Sequence, residues 1–216
     1  MKKIKIILLL LVCFNAIHAQ SKLIGYFNKL SKAHKHNFVI TKKGNSYTAN
    51  AGTGDVKVLL DEANGFLQIK DNGTGGGTFV YELAIFKTQK GKDILAVNYY
   101  AYEEAGVHSG GNIAFFNTHK MLDVTKEILP DLTLVQDETY KNINAADLET
   151  YSSMPYIYFE LPQKGTVVKF NYSTNTLDAA YRDGDKKAIE IKNNIKPALL
   201  YWHKDNGEVV YLSLTK

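Results

Sequence analysis

Phe79-Val80-Tyr81-Glu82-Leu83-Ala84-Ile85-Phe86, then Lys90-Gly91-Lys92, then Ile94-Leu95-Ala96-Val97-Asn98-Tyr99-Tyr100: this stretch decides the fold. A strand with one wet face alternates apolar and polar residues. These two arms are apolar at nearly every position, which predicts central strands covered on both faces. The glycine turn between them predicts a hairpin.

The same form recurs on either side. Val56 to Leu60 and Phe66 to Lys70 bracket Asn64-Gly65, a strong hairpin signal. Upstream, Phe38 to Ile40 and Tyr47 to Asn50 bracket Lys42-Lys43-Gly44-Asn45. Downstream come Asn112 to Phe116, Tyr156 to Leu161, Val167 to Tyr172, Ala188 to Ile191, Ala198 to His203 and Val209 to Leu214. Helical spacing is confined to residues 21–34, where Leu23, Phe27 and Leu30 share a face behind Ser21 as N-cap, and to short pieces within 123–152. Few stretches are long enough for the crossover helices that parallel strands need. The expectation is a mainly β chain of antiparallel sheets, whether sandwich, barrel-like sheet or partial propeller. One N-terminal helix and short helices around 123–152 complete it. Residues 20–216 read as one β-rich domain, with the polar region 137–153 as the place where two lobes would divide.

Residues 1–19 read as a secretory signal peptide. Lys2, Lys3 and Lys5 precede nine apolar residues, Ile6 to Phe14, and Ala19 supplies a small exit residue. Nine helical residues span roughly 14 Å, about half the hydrocarbon core of a bilayer. That argues against a membrane anchor, and no transmembrane segment is expected after cleavage. Val12 before Cys13 is a poor lipoprotein signal, so lipidation is disfavoured. The expected location is the periplasm or the cell exterior of a bacterium.

Cleavage changes what the rest can do. Cys13 is the only cysteine, so the exported chain has no disulfide and no thiol chemistry. The formal net charge of +4 includes the three leader lysines; without them the chain is close to neutral. That gives no reason to expect a nucleic acid or an anionic surface as partner. Arg182 is the only arginine, which also argues against bidentate phosphate or base readout.

The most reactive-looking segment is Tyr102 to Gly111. It holds Glu103, Glu104, His108 and Ser109 among glycines that permit close ligand approach. A hydrolase could use either glutamate as general base and His108 as acid or base. Adjacent carboxylates on an extended chain face opposite ways, however, and make a poor pair. His34 and His36 lack a nearby carboxylate, and His108 and His119 flank a strand too long for one ion. Asp183-Gly184-Asp185 lacks the further oxygens of a calcium loop. No metal and no cofactor is expected.

Aromatic residues are the other signal. Tyr99, Tyr100 and Tyr102 lie in one strand; in another, Tyr156 and Tyr158 share one face and Ile157 and Phe159 the other, while Tyr201-Trp202 marks a third aromatic strand. An exposed face carrying Tyr156, Tyr158 and Trp202 would bind a sugar or a protein at low entropic cost. The expectation is therefore an exported, non-enzymatic binding protein that engages an envelope or extracellular protein or a glycan. The alternatives are a hydrolase using residues 102–111 and an inhibitor of an extracellular enzyme.

Overall fold

The computed structural model describes residues 21–34, 38–50, 54–73, 77–88, 91–103, 108–140, 143–151, 155–195, 197–203 and 212–214. Helix α1 (Lys22–His34) is followed by eight strands: β1 (Val39–Lys43), β2 (Ser46–Asn50), β3 (Asp55–Asp61), β4 (Phe66–Asp71), β5 (Gly77–Phe86), β6 (Ile94–Glu103), β7 (His108–Asn117) and β8 (Leu122–Asp123). They pair antiparallel in sequence order, so the sheet is a meander with β1 and β8 at its edges, and it does not close. Three short helices follow, α2 (Thr125–Ile128), α3 (Leu132–Tyr140) and α4 (Ala145–Tyr151). The chain then forms β9 (Pro155–Glu160), β10 (Val167–Thr174), helices α5 (Asn175–Arg182) and α6 (Lys186–Asn194), β11 (Ala198–Trp202) and β12 (Leu212–Leu214). These last strands make a second antiparallel sheet in the order β12-β11-β10-β9.

The apolar runs of β5, β6 and β7 are explained by what covers them. Leu83, Leu95 and Phe116 face α1, where Leu23, Ile24, Phe27 and Leu30 are each at most 4% exposed. The alternate residues Ala84, Phe86, Ala96, Ile113 and Phe115 face the second sheet and pack on Phe159, Val168, Phe170 and Leu200. The large sheet is thus a middle layer, with a helix on one face and a sheet on the other. Strand β9 packs across β6 and β7.

The turns follow their residues. Gly44 and Gly65 adopt φ of 61° and 69°, the left-handed conformation that hairpin turns need and glycine adopts at little cost. Helix α2 ends because Leu129, before Pro130, is extended at φ −73°, ψ 133°.

One expected strand is a helix. Ala188 to Ile191 lie inside α6, started by Asp185, whose carboxylate accepts from the backbone N–H of Lys187 and Ala188 at 2.8 and 2.9 Å. Ala188 and Ile191, three residues apart, bury one helical face against Leu177 of α5. That spacing is helical, and the capping aspartate outweighs the strand reading of a short apolar run. Helix α5 was not anticipated; Thr174 caps it by accepting from Leu177 N–H at 3.0 Å. The turn expected at 205–207 lies outside the described residues.

Candidate functional site

Two concave regions hold the aromatic residues. The larger exists because α1 is shorter than the strands it covers. Thirteen helical residues reach roughly 20 Å, whereas a ten-residue strand runs roughly 33 Å. Beyond α1 the sheet face carries an aromatic ladder. Phe38 stacks on Phe79 at 5.8 Å between centroids, and Phe79 stacks on Tyr99 at 6.2 Å, with interplanar angles of 29° and 22°. Together with Leu30, Val97, Ala114 and Phe116 they line a groove of about 510 Å³. Tyr81 forms its buried base, and burial pushes its phenol up. Polar groups sit at the lip: Asp123, and Asn112, whose amide donates to Tyr99 Oη at 3.4 Å. Tyr99 itself is 43% exposed.

The second region lies where β9 and β10 meet α5 and α6. Tyr156, Tyr158, Tyr172 and Tyr181 wall a pocket of about 300 Å³ together with Asn193 and Lys192. Beneath it, the carboxylate of Asp178 is 4% exposed. It accepts from Ser173 Oγ at 2.9 Å, from the hydroxyl of Tyr156 and from the ammonium of Lys192. A buried carboxylate requires such partners, because unpaired it would cost several kcal/mol. Tyr156 has its phenol pushed up by burial and by the bond to Asp178. Burial pushes the Tyr158 phenol up to about 12.

A third polar group is sealed between the sheets. Glu82 on β5 is 3% exposed. Its carboxylate accepts from Gln68 Nε2 at 2.9 Å, from Asn98 Nδ2 at 3.0 Å and from the backbone N–H of Leu161 at 3.0 Å. Asn98 Nδ2 also donates to the carbonyl of Phe159 at 2.7 Å. These bonds join the two sheets with polar contacts inside an apolar layer.

The residues singled out in the sequence separate into three environments. Tyr156 and Tyr158 line the smaller pocket, with Tyr156 9% exposed and stacked on Tyr158 at 6.3 Å. Trp202 belongs to the core: it is 5% exposed, stacks on Phe86 at 4.7 Å and donates from Nε1 to the carbonyl of Lys87 at 3.3 Å. Strand β11 turns its indole toward the large sheet, so the three aromatics do not form one exposed face. The backbones of Glu103 and His108 lie at one end of the β5–β7 meander, paired with Gly77 and Tyr102. Glu104, and the side chains of Glu103, His108 and Ser109, lie outside the described residues.

Sequence reading missed the groove and the floor of the pocket. Tyr99 was visible as part of an aromatic strand, but only α1 and β1 make its surroundings concave. Asp178 and Lys192 sit on the two helices whose capping residues, Thr174 and Asp185, were the available signal. Among the described residues, no three histidine, cysteine, aspartate or glutamate side chains gather as a metal site, and no helix is long and apolar enough to cross a membrane.

No family model matches this chain, and no curated protein does. Among solved structures it is similar to a domain of an uncharacterized protein from Porphyromonas gingivalis W83. The two share 13% identity over 87% of this chain and 86% of that one, with a TM-score of 0.46.

Proposed function

We propose that this chain is an exported, non-enzymatic binding protein whose ligand is another envelope or extracellular protein. Its seat is the groove beyond α1. The observation that carries this reading is the Phe38–Phe79–Tyr99 ladder, stacked and ending in a tyrosine that is 43% exposed. Rigid aromatic rings in a concave, partly desolvated setting are the usual anchors of protein recognition. Apart from the ladder, the lining is mostly apolar (Leu30, Tyr81, Val97, Ala114 and Phe116), with Asn112 and Asp123 at the lip, which suits apolar side chains better than hydroxyl-rich sugars. An inhibitor of an extracellular enzyme is a special case and would act stoichiometrically.

The test is affinity capture from envelope and culture-medium fractions, with Tyr99→Ala as control. A partner held by the wild type and lost by the variant supports the reading. Equal capture by both removes the groove from the function. Fractionation with intact-mass measurement checks export: loss of residues 1–19 is expected.

A hydrolase remains the second reading because β6 and β7 bring the backbones of Glu103 and His108 to one end of the sheet. It requires an activity that Glu103→Gln or His108→Ala abolishes while the melting temperature stays near that of the wild type.

A further inference from the structure

We propose that the pocket between β9, β10 and the α5–α6 pair binds a single ring of a neutral saccharide. The site is separate from the groove and does not depend on it.

Three features select this ligand class. The first is charge. Among the described residues that line the pocket, Lys192 is the cation, and its ammonium is matched by Asp178 directly beneath it. An anionic ligand approaching Lys192 would meet the field of that buried carboxylate as well, so the pair offers directed donors with little net charge. The second is preorganisation. Asp178 fixes Lys192 in place, while Ser173 and Tyr156 complete the carboxylate's shell. A donor already held in position loses little freedom on binding. The third is a partly exposed aromatic ring. Tyr181 is 45% exposed, and the Lys192 ammonium lies over its ring, 5.8 Å from the centroid. A sugar ring presents apolar C–H bonds on its faces and hydroxyls at its edge. It can cover Tyr181 while its edge meets Lys192 and Asn193. A wholly apolar ligand would strip water from these polar groups without replacing it.

Size agrees with one ring. The pocket's volume of about 300 Å³ lies at the small end of ordinary small-ligand sites, which suits a ligand of one ring.

The experiment is NMR titration of the purified protein with the methyl glycosides of glucose, galactose and N-acetylglucosamine, and with galacturonate as acidic control. At least one neutral glycoside is expected to shift amides of β9, β10, α5 and α6 with a Kd of about 1–10 mM. Tyr181→Ala should weaken that binding about tenfold and leave the melting temperature close to wild type, since Tyr181 is nearly half exposed and lies outside the three apolar clusters. Tyr181→Phe keeps the ring and should retain most of the affinity. Tyr99→Ala, in the groove, should not alter it. The proposal is overturned if no neutral glycoside binds, if galacturonate binds more tightly than all of them, or if Tyr181→Ala binds as well as the wild type.

Discussion

Gly111 on β7 lies directly against Tyr158 on β9: a Cβ placed at 111 would stand 3.0 Å from both Cα and Cβ of Tyr158, and 3.2 Å from Cβ of Tyr100. The glycine at the end of the segment 102–111 therefore serves an approach between the two sheets rather than the approach of a ligand. Tyr100 and Tyr158 sit beside it with ring centroids 5.5 Å apart.

Gly111→Ala should accordingly destabilise the protein by about 1–3 kcal/mol, because backbone on the facing strand must move to admit one methyl group. Urea unfolding measures the loss. An unchanged midpoint would mean that β7 and β9 are farther apart than described.

Glu82 and Asp185 should give opposite pH signatures. Burial holds the Glu82 carboxyl above its ordinary value of 4.5, against the pull of its hydrogen bonds to Leu161, Asn98 and Gln68. A carboxyl raised in the folded state favours folding when protonated. Its contribution is complete below the unfolded value and is lost as pH climbs through the folded one. Glu82→Gln is neutral throughout, and Gln68 can turn its amide to meet the new one. The variant should gain stability relative to wild type as pH rises above the unfolded carboxyl's value, until the folded one has ionised. Glu82→Ala instead takes the acceptor from the buried N–H of Leu161 and one of the two acceptors from the Asn98 amide, and should cost about 2–4 kcal/mol. A difference between wild type and Glu82→Gln that is constant with pH would contradict the sealed position of this carboxylate.

Asp185 runs the other way. The backbone N–H groups of the first turn of α6, chiefly that of Ala188, hold its carboxyl below the ordinary value of 3.8, and Tyr151 adds a hydrogen bond. Its contribution is present above the unfolded value and disappears as pH falls through the folded one. Asp185→Ala should lower the melting temperature at neutral pH, with the gap to wild type closing under acid. Asp185→Asn, still a good helix cap, should recover much of the loss. Thermal scans across an acid series resolve both effects.

Trp202 is the only tryptophan, so its fluorescence reports one site. Its burial against Phe86 predicts blue-shifted emission and poor quenching by acrylamide. Trp202→Ala should cost about 3–5 kcal/mol. Emission typical of a water-exposed indole would place β11 elsewhere.

Most of the strands and their antiparallel pairing could be read from the chain because each hairpin carries its own instructions; the order of the strands in two sheets could not. The runs of β5 and β6, apolar at nearly every position, announced two covered faces, and both coverings exist. Ser21 with Leu23, Phe27 and Leu30 announced α1. The stretch from Thr174 to Asn194 was less legible. Its helices are short and mostly polar, and the evidence for them lies in two capping side chains and an i, i+3 pair rather than in a long periodic face. A run such as Ala188 to Ile191 is compatible with either structure until a neighbour selects one.

The candidate sites divide along the same line. Sequence alone established which residues are aromatic, that Tyr156 and Tyr158 share a strand face, and that the only cysteine falls within the leader-like segment. Those are properties of local order and composition. Tertiary structure alone decided that Trp202 is core, that Tyr99 stands at a groove, and that Asp178 meets Lys192 beneath Tyr156. Each depends on residues far apart in sequence: α1 ending short of the strands, β11 turning its indole inward, and α5 and α6 folding back on β10. Concavity and burial arise from packing between elements, and no local pattern encodes where one element stops covering another.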